Sequence, residues 1–175
     1  MSDIKAIAQN IKLLILDVDG VLTDGKVYFG ESTEELKAYN IKDGLGMRLL
    51  MDNGIEIAII TGRNSKSVEI RMAGLGIKHL YQGKLAKRES YEQLIDKLKL
   101  SPDEVAYIGD DLIDLPVMTK VGLPIAVADA HTKSKEVAKI ITTNTGGNGA
   151  VREICDLILE AQGKLEAIYS KFLND

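Results

Sequence analysis

Short apolar runs alternate with amphipathic stretches along the whole chain. The runs at 13–16, 56–60, 105–108, 124–127 and 139–142 are brief and mostly rich in Ile, Leu or Val, as parallel strands buried on both faces require. Between them, 44–53, 65–75, 90–98, 112–120 and 132–138 read as helices, and Ser101-Pro102 sets a firm stop after the third. Alternation of this kind predicts an α/β fold in which helical crossovers link a doubly wound parallel sheet.

One segment breaks the rhythm. Over 25–39, Val27, Tyr28 and Phe29 are followed by the turn-like Gly30, Glu31 and Ser32 and then by a second extended run, which predicts a β-hairpin projecting from the sheet. The stretch 150–172 reads as helix with Leu, Ile and Ala on one face, and Gly163 marks a bend or break. Hairpin and terminal helix are both available for contacts between subunits. With no internal repeat, low-complexity tract or linker, residues 1–175 read as a single domain.

Charge and composition narrow the classes. Twenty-two Lys and Arg against 26 Asp and Glu leave a net charge of −4, which argues against a general nucleic-acid binder that relies on counterion release. An anionic ligand must therefore meet local positive charge. Cys155 is the only cysteine, so no intramolecular disulfide forms. Asp3, Lys5, Gln9, Asn10 and Lys12 interrupt the first dozen positions, and no later run approaches the ~18 apolar residues of a membrane span. These features predict a cytoplasmic protein with no nucleic-acid or membrane partner.

The chemistry concentrates where the first strand ends. Asp17-Val18-Asp19-Gly20 places two carboxylates at the tip of an apolar run, and ligands of open α/β sheets sit at the carboxyl ends of strands. A strand-to-loop junction accounts comfortably for one Asp, whose side chain can hydrogen-bond the turning backbone. Two acids in one small volume raise each other's pKa unless a cation intervenes. A bound divalent metal resolves the conflict.

With these residues the chain resembles the haloacid dehalogenase-like (HAD) superfamily of phosphohydrolases, whose first motif is Asp-x-Asp-Gly followed by a small apolar stretch and Thr, here Thr23. Ile59-Ile60-Thr61-Gly62-Arg63 matches the second motif and Gly109-Asp110-Asp111-Leu112-Ile113-Asp114 the fourth. Lys87 is the candidate for the third, with Lys84 three residues earlier as the competitor. The resemblance implies a capless α/β phosphatase in which Asp17 is the nucleophile that forms an aspartyl-phosphate and Asp19 the acid and base. It implies Mg²⁺ as cofactor, held by Asp17, the carbonyl of Val18, Asp19 and Asp110. Thr61 would bind a phosphoryl oxygen from the start of a helix, and Lys87 would stabilise the phosphoryl charge. Asp111 and Asp114 stay open as residues that orient Lys87 or a metal-bound water.

Neither interval between the motifs has room for a cap domain, so an open site must take a bulky substrate or be closed by another subunit. Arg48, Arg63 and Arg71 cluster around the second motif and suit a second anion on the substrate, although surface solvation explains Arg71 nearly as well. Within the superfamily the chain is most similar to the phosphatases of 3-deoxy-D-manno-octulosonate (KDO) 8-phosphate, which serve lipopolysaccharide precursor synthesis. The shared residues include Lys37-Ala-Tyr-Asn-Ile-Lys-Asp-Gly44, His79-Leu-Tyr-Gln-Gly83, Val127-Ala-Asp-Ala130 and Gly149-Ala-Val-Arg-Glu153. That likeness implies a homotetramer with sites completed by neighbouring subunits. It also implies a sugar site lined by Asp19, Asn40, Ile41, Lys42, Asp43, Gly44, Arg48, Arg63, Arg71, Lys87 and Ile113.

Alternatives remain. A sister branch acting on nine-carbon sialic-type acid 9-phosphates tends to carry Glu where Arg63 stands. A receiver-like phospho-switch would take its phosphoryl group on an Asp after the third strand, not the first. A non-catalytic oligomerisation module would not need the intact set Asp17, Asp19, Thr61, Lys87 and Asp110. The Gly146-Gly147-Asn148-Gly149 stretch lacks the Lys-Ser/Thr of a phosphate loop and reads as a connection before the terminal helix. His79 and His131 have no spacing partner for a metal.

Overall fold

In the computed structural model, which describes residues 2–29 and 35–174, helix α1 (Ser2–Gln9) leads into strand β1 (Leu13–Leu16), whose four side chains are fully buried. A run without a polar position is what a central parallel strand needs, because helices cover both its faces. The hairpin follows as the antiparallel pair β2 (Tyr28–Phe29) and β3 (Glu35–Leu36), with Tyr28 opposite Leu36. The expected turn at Gly30, Glu31 and Ser32 lies outside the described residues.

The chain then alternates through α2 (Ile41–Asp52), β4 (Glu56–Ile60), α3 (Lys66–Leu75), β5 (His79–Tyr81), α4 (Lys87–Leu98), β6 (Val105–Gly109), α5 (Leu115–Met118), β7 (Leu123–Ala126), α6 (Thr132–Val137) and β8 (Ile140–Ile141). It ends in α7 (Ala150–Ala161) and α8 (Leu165–Asn174). The main sheet is wholly parallel in the order β5-β4-β1-β6-β7-β8, flanked by helices that group as α1, α2 and α7, and as α4, α5 and α6. Strand order reverses between β1 and β6, so the carboxyl ends of these two strands border the crevice in which doubly wound sheets bind ligands. Between β1 and β4 lie only the hairpin and α2, and between β4 and α4 only α3 and β5, which leaves no cap domain among the described residues.

The bounds of the five expected sheet strands agree with the sequence pattern to within a residue or two, the short edge strand β5 is not among them, and the helix starts move more. Helix α2 begins before its glycines because Asn40 caps it, its side chain accepting from Lys42 N at 2.8 Å. The segment 112–120 opens as a 3₁₀ turn at Leu112–Asp114, capped by Asp111, before becoming α5. Gly163 does break the terminal helix: its φ of +70° is a left-handed conformation that costs glycine little. Helix α1 carries no sequence expectation, yet it seats Ala8 in the core.

Candidate active site

Asp17 follows β1 directly, and its backbone N–H donates to Ile108 O at 3.1 Å, which holds it level with the end of β6. Its side chain is 4% exposed. One carboxylate oxygen accepts from Val18 N at 2.7 Å; the other lies 2.9 Å from the ammonium of Lys87. Lys87 opens α4 and is fully buried, whereas Lys84 is exposed, which settles which lysine reaches the acids. The Lys87 ammonium also donates to Asp114 Oδ1 at 2.7 Å. Burial disfavours the charged amine, but Asp17 and Asp114 outweigh that penalty and push its pKa up.

Asp114 is the hub of this arrangement. Oδ1 accepts from both Lys87 and the Tyr107 hydroxyl, the latter at 2.6 Å, while Oδ2 accepts from Asp110 N at 2.9 Å and Asp111 N at 3.2 Å. With both oxygens engaged twice, Asp114 orients Lys87 and shapes the turn after β6. Of the two acids left open by the sequence, it is the one that touches Lys87. Asp111 instead caps the 3₁₀ turn, accepting from Leu112 N at 2.7 Å.

Asp110, at the end of β6, approaches from the other side of the crevice. A Cβ on Gly20 would meet its Oδ2 at 2.1 Å, and Gly20 sits at φ +86°, so both space and backbone demand glycine there. Burial, then Asp114, Asp17 and Asp111, push the Asp110 pKa up to about 8. Burial and Asp114 likewise raise Asp17 to about 6, against the pull of Lys87. Oxygens of Asp17, Asp110 and Asp114 all lie within 4.8 Å of one another. With all three ionised, the carboxylates would carry two negative charges more than the one ammonium offsets, and the donors are hard oxygens. That set fits a divalent cation such as magnesium.

The expected carbonyl ligand needs correction. Val18 O already accepts backbone N–H groups from Leu22 at 2.9 Å and Thr23 at 3.1 Å, with Val21 at 3.3 Å, because it closes the turn after β1. The Asp19 carbonyl accepts no hydrogen bond among the described residues.

Asp17, Asp19, Thr61, Arg63, Asp110 and Ile113 line one cavity of about 250 Å³ at these strand ends. Thr61 is buried at the end of β4, but α3 begins only at Lys66, so Thr61 does not stand at a helix start as expected. The Asp19 carboxylate is held from the hairpin side. Lys37 contacts its Oδ1 and also lies 2.7 Å from Glu35 Oε1, while Glu35 pairs through its other oxygen with Arg63. Sequence reasoning assigns no role to Glu35, Lys37 or Tyr107. The signals were an acid and a base two residues apart on an extended run, and a hydroxyl in an otherwise apolar strand.

Several residues expected in the sugar site sit elsewhere in this chain. Asp43 is 1% exposed and caps α7 from a distance, accepting from Arg152 N at 2.8 Å and Gly149 N at 3.4 Å. Asn40 caps α2, and Ile41 and Lys42 lie exposed in its first turn. Arg71 packs against Gly44 and lies 5.8 Å from the Tyr39 ring centre, in a second cavity that shares Glu35 and Lys37 with the hairpin. Arg48 borders a cavity beside Gly54 and Glu56, at the opposite end of β4 from Thr61. A single chain thus brings Arg63 and Ile113 to Asp17, but not Arg48, Arg71 or the 40–44 turn.

Residues 73–154 match the haloacid dehalogenase-like hydrolase family. The chain is 58% identical over 165 residues to the 3-deoxy-D-manno-octulosonate 8-phosphate phosphatase of Escherichia coli strain K12, covering 94% of this chain and 88% of the relative. The crystal structure of the Yersinia pestis phosphatase of the same name superposes with a TM-score of 0.92 at 55% identity, covering 94% and 89% of the two chains. A Moraxella catarrhalis phosphatase of that name, solved with magnesium, phosphate and KDO, superposes at 0.96 with 44% identity over 98% of this chain and 99% of the other.

Proposed function

Because the chain belongs to the 3-deoxy-D-manno-octulosonate 8-phosphate phosphatase family of haloacid dehalogenase-like hydrolases, we propose that it hydrolyses this acidic sugar phosphate to KDO and inorganic phosphate, a step of lipopolysaccharide precursor synthesis. The observation that carries the reading is the buried Asp17–Lys87–Asp114 chain beside Asp110 at the reversal of strand order.

Asp17 attacks phosphorus while the bond to the sugar oxygen breaks, and Asp19 hands its proton to that oxygen. A water then attacks the aspartyl-phosphate; Asp19 takes the water's proton, and phosphate leaves with Asp17 restored. With a raised pKa still near 6, Asp17 is mostly ionised at neutral pH and needs no activating base. Lys87 and Thr61 hold phosphoryl oxygens, with Lys87 kept in place by Asp114. Asp17, Asp110 and the Asp19 main-chain carbonyl hold magnesium, which when bound offsets the charge of the acids and of the incoming phosphate.

Arg63 meets the substrate carboxylate from within the chain. In this reading residues 1–175 act as one domain, and Arg48, Arg71 and the exposed Ile41 and Lys42 reach the sugar of a neighbouring copy in a homotetramer, while Asp43 stays in the fold. Exposed Val27, Phe29 and Leu36 on the hairpin and Phe172 and Leu173 on α8 supply apolar surface for such contacts. No described helix is long and apolar enough to cross a membrane. Phosphate release from a panel of sugar phosphates, with magnesium and with a chelator, tests the assignment. Turnover should be strongest on KDO 8-phosphate and vanish without metal; preference for a neutral sugar phosphate or a nine-carbon acid 9-phosphate would overturn it.

A further inference from the structure

The hairpin contributes a base to the site that the phosphoryl chemistry itself does not require. Lys37, immediately after β3, has a side chain only 1% exposed, and its ammonium contacts Asp19 Oδ1 while lying 2.7 Å from Glu35 Oε1. A buried ammonium is costly unless it is paired, so two carboxylates on one amine make this a built contact rather than a passing surface pair. Asp19 has little else to hold it. Among the described residues no backbone N–H donates to its carboxylate, the Arg63 Nε is 3.9 Å from Oδ2, and the side chain is 28% exposed. A partly exposed Asp on a turn would otherwise sample several rotamers.

We propose that Lys37 is a positioning residue that fixes the Asp19 carboxyl where it can protonate the departing oxygen, so that the hairpin is part of the catalytic apparatus as well as a surface for neighbours. Glu35 makes the device electrically neutral. It takes Lys37 on one oxygen and Arg63 on the other, so the cluster is neutral after Asp19 has given up its proton, and while Asp19 is protonated Glu35 offsets one of the two cations that would otherwise favour its ionised form. The inference rests on the reading of Asp19 as the proton donor. Orientation of a reacting group is worth large factors, with a misplacement of about 1 Å costing on the order of 100-fold.

The test uses phosphate esters without a carboxylate, so that sugar-acid binding does not enter: p-nitrophenyl phosphate, phenyl phosphate and glycerol 3-phosphate. Their leaving groups need progressively more help from a proton. The quantity read is kcat/KM, which covers events only up to departure of the leaving group. Lys37→Met should lower kcat/KM for glycerol 3-phosphate by about 30- to 100-fold and for p-nitrophenyl phosphate by less than about 3-fold, within the ~100- to 10,000-fold worth of a general acid. Lys37→Arg should restore most of the alkyl activity. Retained aryl activity reports an intact fold and nucleophile. An equal loss across the three esters, or no loss, overturns the proposal. Asp19→Asn is measured alongside and should give the same steep dependence; if it does and Lys37→Met does not, Lys37 alone is dismissed. If Asp19→Asn leaves glycerol 3-phosphate turnover intact, the proton-donor reading fails and the proposal with it.

Discussion

The ammonium of Lys87 lies 2.9 Å from a carboxylate oxygen of Asp17, and neither side chain is more than 4% exposed. Asp114 completes the contact at 2.7 Å from the same nitrogen. One buried cation therefore keeps the nucleophile in place and keeps two acids from facing each other bare.

Lys87→Met should remove both effects. Breaking a buried pair on one side typically costs about 3–5 kcal/mol, and loss of a charge aimed at the phosphoryl group costs about 100-fold or more in turnover. Urea denaturation at neutral pH in the absence of metal checks the first, phosphate release the second. A variant as stable and as active as the parent would contradict the arrangement.

Metal and pH are linked through the same acids. The folded protein holds Asp17 near pKa 6 and Asp110 near 8, above the ordinary value of 3.8. As pH rises from about 4 to 8, the unfolded chain loses these protons first, so the folded state binds more protons and their contribution to stability falls. Magnesium favours the ionised acids and opposes this loss. The rise in Tm on adding magnesium to chelator-treated protein should be larger at pH 8 than at pH 5; an equal or smaller rise at pH 8 would contradict a site among these carboxylates.

Asp43 is predicted to act on the fold rather than on the ester. Its carboxylate satisfies N–H groups of Arg152 and Gly149 at the start of α7, and loss of a helix cap costs roughly 0.5–2 kcal/mol. Asp43→Ala should lower Tm while kcat/KM for KDO 8-phosphate stays within about 2-fold. An unchanged Tm with lost activity would return Asp43 to the substrate.

Arg63 is half exposed, paired with Glu35, and borders the Asp17 cavity. Hydrogen bonds to charged groups are worth about 1.5–3 kcal/mol, so Arg63→Ala should raise KM for KDO 8-phosphate by about 10- to 100-fold. The effect on p-nitrophenyl phosphate, which has no carboxylate, should stay below about 3-fold. Equal changes would remove the carboxylate from its role.

The parts of the fold and site legible in the sequence are those governed by local pattern. β1 reads directly from an unbroken apolar tetrad, and Asp17, Asp110 and Lys87 from their places beside elements. Helix α2 was blurred because Gly44 and Gly46 weaken the helical signal, while the cap that starts the helix is a side-chain contact of Asn40. Asp43 reads as a site residue by its neighbours in the chain, yet its partners lie more than 100 positions away, at a distance no local pattern encodes. Lys37 and Asp114 depend on tertiary contacts in the same way: only folding brings the hairpin base to Asp19 and the acid after β6 to Lys87. The Val18 carbonyl, expected as a ligand, is engaged by the turn after β1, a contact that the motif alone does not reveal.

The most direct test is a crystal structure grown with magnesium and beryllium fluoride, a mimic of a transferred phosphoryl group. The account predicts the fluoride complex on a carboxylate oxygen of Asp17, within hydrogen-bond reach of Lys87 and Thr61, and a metal touching Asp17 and Asp110. A bare Asp17 with the metal bound elsewhere would contradict it.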